Sequence, residues 1–240
     1  MNRYSYNYKK SRKKNIKLFL RIVSALIFLS GVFTIIYVSF PFAFWHIYFA
    51  PVFASQFVNA PIPKTNVIGS SLIKTKNGEE RFIDYTNAKN WFPNVSLKPG
   101  NPRIDFYTIS IPKLNIVKAV VSTKDTNLSS HLVHYDGTAI PPDNGNAVIF
   151  GHSTLPQLFN PKDYKTIFAN AYLLKPDDEI YIFIHDVKYS YKIYNTIVVD
   201  PEETSIFSQD YSASNLTLIT CTPPGTTWKR LIIKAAIENI

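Results

Sequence analysis

The chain has a single cysteine among 240 residues, which excludes an internal disulfide framework and any zinc site built on two or four cysteines of one chain. Acidic residues are missing from the first 78 positions: none precedes Glu79, whereas eleven lysines and arginines do. The net charge of +9 therefore divides into +11 on residues 1–78 and −2 on the remainder. Charge of either sign is missing between Arg21 and Lys64. Internal repeats and low-complexity tracts are missing too, which excludes a solenoid, and 46% apolar residues exclude a chain disordered throughout.

The uncharged stretch opens with IVSALIFLSGVFTIIYVSF, residues 22–40. Nineteen residues approach the ~20 that a helix needs at ~1.5 Å per residue to cross a ~30 Å hydrocarbon layer. A cleaved signal peptide has an apolar region of only ~7–15 residues, so a transmembrane helix is the better reading. Eight basic residues, Arg3 to Arg21, crowd its N-terminal side and place residues 1–21 in the cytoplasm as a basic tail. Attraction to anionic headgroups accounts for this charge better than nucleic acid does, because it stands hard against an apolar span.

Residues 41–60 are uncharged and rich in aromatics, with Pro51 splitting them, and suit a membrane-interface segment better than a second span. Residues 61–102 mix Pro, Asn, Gly, Lys and Ser with isolated apolar patches such as Trp91 and Phe92, and read as an extracytoplasmic tether.

From Arg103 the texture changes to short runs rich in β-branched and aromatic residues: RIDFYTISI, IVKAVVS, GNAVIFG, EIYIFIH, KYSYKIYNTIVV, NLTLIT and KRLIIKAAI. These predict strands. Helical stretches are expected at 127–132 and at 163–173, where Ile167, Phe168 and Ala171 have helical spacing. So many closely spaced strands over residues 103–240 point to a mostly β domain, a closed barrel or a sandwich.

Within that domain the thiol stands out. Cys221 ends the run LTLIT and precedes the turn formers Thr222, Pro223, Pro224 and Gly225, which places it at a strand end. A lone cysteine is most often a buried small hydrophobe. An unpaired thiol facing an oxidising compartment, with no bridge to justify it, points instead to reactivity. Cysteine catalysis needs a proton carrier, and histidine suits that role. Of five histidines, His46 lies in the interface stretch, His185 sits in a turn beside Asp186, and His131 and His134 flank the end of the first expected helix, where they could cap carbonyls. His152 follows the strand NAVIFG at its end, where it faces a strand end bearing Cys221 across a barrel rim. Arg230 begins the strand after the loop TPPGTTWK, and a hairpin sets it beside Cys221, where a guanidinium stabilises an oxyanion.

The ordered series IPKLNI, YDGTAIPPDNGNAVIFGHS, LKPDDEIYI and LTLITCTPPGTTWKRLII resembles the sortases, membrane-anchored cysteine transpeptidases of bacterial cell surfaces. The resemblance covers residues 104–236 and implies an eight-stranded β-barrel. Carried onto this sequence, it implies that Cys221 is the nucleophile, His152 the acid/base group and Arg230 the oxyanion stabiliser. It also places Thr138 and Thr220 at positions lining the substrate groove. The implied reaction cleaves a Leu-Pro-X-Thr-Gly-like sorting signal of a surface protein through a thioester, then transfers it to an amine of a peptidoglycan precursor or a pilin lysine. The implied location is the bacterial cell membrane, with a single span and the catalytic domain outside; nucleic acid is not an expected partner.

Departures from the family pattern touch loops: Ser153 stands where many members have arginine, and PPD replaces a more usual Pro-Gly. The tether lacks the Asp-Pro-aromatic lid pattern of pilus-polymerising members, yet the loop after Cys221 is closer to the class C and class D branches, so the subclass stays open. No cofactor is expected. Some members bind calcium, but Asp177, Asp178 and Glu179 read as a solvated turn rather than a site. Two alternatives share the same residues: a barrel that only binds peptide or cell-wall ligand, and a hydrolase that releases its acyl-enzyme to water.

Overall fold

The computed structural model describes residues 12–44, 83–95, 97, 98, 100 and 102–238. Most of the interface segment and much of the tether, together with the start of the basic tail, lie outside the described residues. The chain divides into two compact units at Pro51 and Val52.

The first unit contains helix α1, Arg12–Phe44. Its stretch Lys17–Phe40 is long and apolar enough to cross a membrane, and none of it is buried against protein. The 24 residues rise about 36 Å at ~1.5 Å each, enough to span a hydrocarbon core. The helix extends beyond the apolar run 22–40 at both ends.

The second unit is a closed barrel of eight strands. These are β1 Phe106–Ile111, β2 Ile116–Ser122, β3 Leu132–His134, β4 Gly145–Phe150, β5 Glu179–Ile184, β6 Val187–Val199, β7 Ser214–Thr222 and β8 Lys229–Ile237. Around the barrel the order is β1, β2, β3, β4, β7, β8, β6, β5, with β5 returning to β1. Most neighbours are antiparallel, but β2 with β3 and β4 with β7 run parallel. Seven strands coincide with the seven apolar runs of the sequence.

The eighth, β3, begins at the end of residues 127–132, where a helix is expected and a turn is found; three residues suffice to bridge β2 and β4. Of the helix expected at 163–173 only a single 3-10 turn, Ala171–Leu173, is found, preceded by turns. Ile167, Phe168 and Ala171 are buried as their spacing requires, but successive bonds such as Thr166 N–H to Asp163 O, Ala169 N–H to Thr166 O and Ala171 N–H to Phe168 O close three-residue turns instead.

Because strand side chains alternate, the barrel wall has two apolar faces. The interior is filled by residues such as Ile109, Val121, Ile149, Ile182, Leu218 and Ile233. A second cluster lies outside, on the β3–β4–β7–β8 part of the wall: Val133, Val148, Phe150, Ile219, Cys221 and Ile232. Ile206 and Phe207 from the β6–β7 connection cover part of it, and Trp91 and Phe92 from the segment before the barrel cover more. The last part of the expected tether is therefore a packed strap, residues 83–95, with Trp91 wholly buried.

Candidate active site

Cys221 and Arg230 are directly opposed register partners in the antiparallel β7–β8 ladder. Opposed residues of such a pair present their side chains on one face, and both belong with Ile219 and Ile232 on the outer wall. His152 follows β4, the parallel neighbour on the other side of β7, where Phe150 pairs with Ile219 and Gly151 N–H bonds to Ile219 O at 3.1 Å. Gly151 permits this approach: a Cβ there would stand 2.4 Å from the Phe168 ring and 2.7 Å from Leu132. Two residues beyond Phe150, His152 shares the outer face with it.

The strap sits on all of this. The Trp91 indole packs against the His152 ring at 5.7 Å and the Phe150 ring at 5.5 Å, and the Arg230 guanidinium lies 5.4 Å from it. Arg230 Nη2 donates to Trp91 O at 3.0 Å, while Nη1 donates to Thr227 O at 2.9 Å and to Lys229 O at 3.2 Å. Its Nε is buried and has no acceptor among the described residues. The strap is held by Ala88 N–H to Thr126 O, Leu128 N–H to Thr86 O and Trp91 Nε1–H to Tyr85 O.

The model of the sortase domain matches residues 109–238, more than half of the chain. The chain belongs to the sortase family. Sortase D of Bacillus subtilis (strain 168) is 29% identical over 129 residues, covering 52% of this chain and 60% of that protein, so this chain spans less than two thirds of that relative's length. A sortase D5 transpeptidase of Clostridium perfringens is 28% identical over 60% of this chain and 83% of its own, with a TM-score of 0.47. A lid mutant of sortase A from Corynebacterium diphtheriae is 30% identical over 58% and 73%, with a TM-score of 0.49. Sortase C-1 of Actinomyces oris shares the fold at a TM-score of 0.51, covering 64% of this chain and 94% of its own at 23% identity.

In this sortase domain burial also shifts the titration of both groups. Burial pushes the Cys221 thiol up to about 11, a rise that the nearby Arg230 charge only partly opposes. Burial likewise lowers the His152 imidazole, with the Asp84 carboxylate opposing and Lys165 adding to the effect. Both shifts favour the neutral forms of thiol and imidazole. Returning water to the site reverses both shifts, because desolvation is their largest cause. Trp91→Ala is expected to raise the rate at which iodoacetamide alkylates Cys221 at pH 8 by about tenfold or more, since each unit lost from the thiol pKa multiplies the thiolate fraction about tenfold. An unchanged rate would show that the strap does not restrain the thiol.

Thr220 and Thr138 are placed differently from one another. Thr220 is buried, and its hydroxyl donates to Gly151 O at 2.8 Å, beside the site. Thr138 is not brought to the Cys221 end; its hydroxyl bonds to Tyr135 O at 2.6 Å, to His134 Nε2 at 3.0 Å and to Val148 N–H at 3.3 Å. Because Thr138 gives its proton to Tyr135 O, it accepts from His134 Nε2–H, and Tyr107 O–H donates to Nδ1 at 2.8 Å. This buried network holds His134 neutral, and burial brings its pKa down to about 4.

The sign follows from linkage: above pH 6.5 neither state binds the proton, while between 6.5 and about 4 the unfolded chain binds it and the folded chain does not. Stability held in full above pH 6.5 is therefore lost as pH falls, by about 2–3 kcal/mol at pH 4.5. Denaturant unfolding of the wild type and of His134→Gln at pH 7 and pH 4.5 checks this; an equal pH loss in both would reject it.

A pocket of about 670 Å3 continues the covered face away from Cys221, lined by Lys89, Phe92, Val95, Lys124, His134 and Tyr135 among others. Among the described residues no group of three or more His, Cys, Asp or Glu is placed to hold a metal ion. Asp178 pairs with Lys113 at 2.7 Å, and Glu179 accepts from the Tyr181 hydroxyl.

Trp91 and Asp84 carry no site motif in the sequence. A signal for Trp91 exists in two adjacent large aromatics, Trp91 and Phe92, in an otherwise polar stretch. Nothing local marks Asp84.

Proposed function

We propose that this chain is a cysteine transpeptidase that cleaves a Leu-Pro-X-Thr-Gly-like sorting signal of a surface protein and transfers it to an amine of the cell wall or of a pilin. The observation that carries this reading is the pairing of Cys221 with Arg230 on one face of the β7–β8 ladder, with His152 at the adjoining strand end. Membership of the sortase family supports it. The relatives include sortases named A, C and D, and no one class is singled out.

With the strap displaced, the thiol of Cys221 passes its proton to His152 and attacks the threonine carbonyl carbon. The carbonyl oxygen becomes an oxyanion, which Arg230 stabilises; Nε offers it a donor that no described protein group uses, and Nη2 is released from Trp91 O. The imidazolium of His152 then protonates the departing glycine amine, the peptide bond breaks, and the thioester remains on Cys221. An incoming amine attacks the thioester, gives its proton to His152, and the thiolate leaves and is reprotonated. No cofactor takes part in these steps. Lifting the strap exposes Trp91 and Phe92, each worth roughly 1.5–3 kcal/mol of burial, which substrate binding on the same face must offset.

Helix α1 supports membrane anchoring, and the basic residues before it support a cytoplasmic N-terminus with the barrel outside. The test is incubation of the full chain in detergent with a labelled library of Leu-Pro-X-Thr-Gly-like peptides, with and without an added amine. Amine-dependent product is expected. Cleavage whose product never takes up the amine would favour a hydrolase, and binding without cleavage would favour the peptide-binding barrel.

A further inference from the structure

Strand β4 ends at Phe150, whereas its parallel partner β7 continues to Thr222. The last backbone bond between the two segments among the described residues is Gly151 N–H to Ile219 O. Beyond it, His152 and Cys221 lie on segments that no ladder joins. Two hydroxyls replace the missing ladder bonds. Thr220 Oγ1 donates to Gly151 O at 2.8 Å, and Ser153 Oγ donates to Cys221 O at 2.7 Å. The first reaches from β7 to the residue before His152, and the second reaches back from the residue after His152 to Cys221 itself. From the other side, Phe168 N–H holds His152 O at 2.9 Å.

We propose that Ser153 is a positioning residue, whose bond to the Cys221 carbonyl fixes the separation of the imidazole and the thiol across the end of the β4–β7 pair. Short-range proton transfer requires such control, because β4 ends before His152 while Cys221 is still held by its pairing with Arg230, so the β4–β7 ladder itself does not set the separation of the two groups. The hydroxyl touches no reacting atom. Ser153 thus has a part in the chemistry, although by sequence its departure from the family pattern touches only the loop. The inference rests on the transpeptidase reading for its kinetic consequence but not for its geometric one.

The experiment compares the full-length wild type with Ser153→Ala and Ser153→Thr in detergent, by kcat and KM for a cleaved sorting-signal peptide and by the pH dependence of Cys221 alkylation with iodoacetamide. Ser153→Ala is expected to lower kcat by about tenfold to a hundredfold with KM within about twofold, the signature of misplaced reacting groups, and Ser153→Thr, which keeps the hydroxyl, to recover most of the loss. In the alkylation profile the step that follows His152 titration is expected to weaken in Ser153→Ala and to return in Ser153→Thr. A raised KM with unchanged kcat, or a threonine variant as impaired as the alanine variant, would overturn the proposal. Should the wild type cleave no peptide, the transpeptidase reading fails, and the alkylation profile still decides: an identical profile in wild type and Ser153→Ala overturns the positioning role.

Discussion

Cys221→Ala is expected to abolish cleavage of sorting-signal peptides, with kcat falling by at least about 10⁴-fold, the scale on which loss of an enzyme's nucleophile is felt. The chain has no other thiol to substitute for it. The hydroxyl of Thr222, which has no partner among the described residues, alternates to the opposite face of β7. Two other neighbouring hydroxyls are committed elsewhere, Thr220 to Gly151 O and Ser153 to the Cys221 carbonyl. That carbonyl belongs to the backbone and survives the substitution, so the β4–β7 tie and the β7–β8 register are kept and the variant should fold as the wild type does. Circular dichroism and thermal unfolding alongside peptide turnover check both halves. Turnover above about one per cent of wild type in a folded variant would remove Cys221 from the chemistry.

Arg230→Ala is expected to lower kcat by about 10²–10³-fold, the cost of losing a donor aimed at developing negative charge. Two effects act in the same direction. The guanidinium is the charge that opposes burial at the Cys221 thiol, so its loss leaves the thiol still harder to ionise. It also has a buried side-chain N–H, at Nε, for which the described residues provide no acceptor. Arg230→Lys separates the two, since an ammonium keeps the charge but not the fork, and should remain well below wild type while exceeding alanine. Steady-state kinetics of the three proteins supply the check. Near-normal kcat in Arg230→Ala would assign the residue to holding Trp91 rather than to the reaction.

Much of this site is legible in one dimension because its parts lie on neighbouring strands of simple sequence texture. Cys221 and Arg230 flank a turn-rich loop, and an antiparallel hairpin sets such residues opposite each other, as their register shows. His152 closes a β-branched and aromatic run, and strand ends of that kind gather at a barrel rim. The short strand β3 is not legible, because three residues carry no alternation and its stability comes from neighbours on either side. Residues 163–173 carry the burial pattern of a helix, but tight three-residue turns satisfy the same pattern.

The strap shows why covering elements escape such reading. Residues 83–95 have no periodicity of their own, and their partners lie far along the chain: Trp91 O meets Arg230 from 139 positions away. The polar residues of this stretch suggest a tether, and the Asp-Pro-aromatic pattern is missing, yet Trp91 and Phe92 cover the same wall without it. Thr138 is a second case. Its hydroxyl is engaged by His134, Tyr135 and Val148, a network that no local signal reveals.

The central claim is that Cys221 carries an acyl group from a peptide carbonyl to an amine. It is tested most directly by mixing the full chain with a sorting-signal peptide in the absence of amine, quenching in acid, and mapping the added mass by peptide mass spectrometry. The expected result is an adduct equal to the peptide up to its threonine, located on Cys221, discharged by hydroxylamine and absent from Cys221→Ala. Cleaved peptide with no adduct on Cys221, or an adduct that persists in Cys221→Ala, would contradict it.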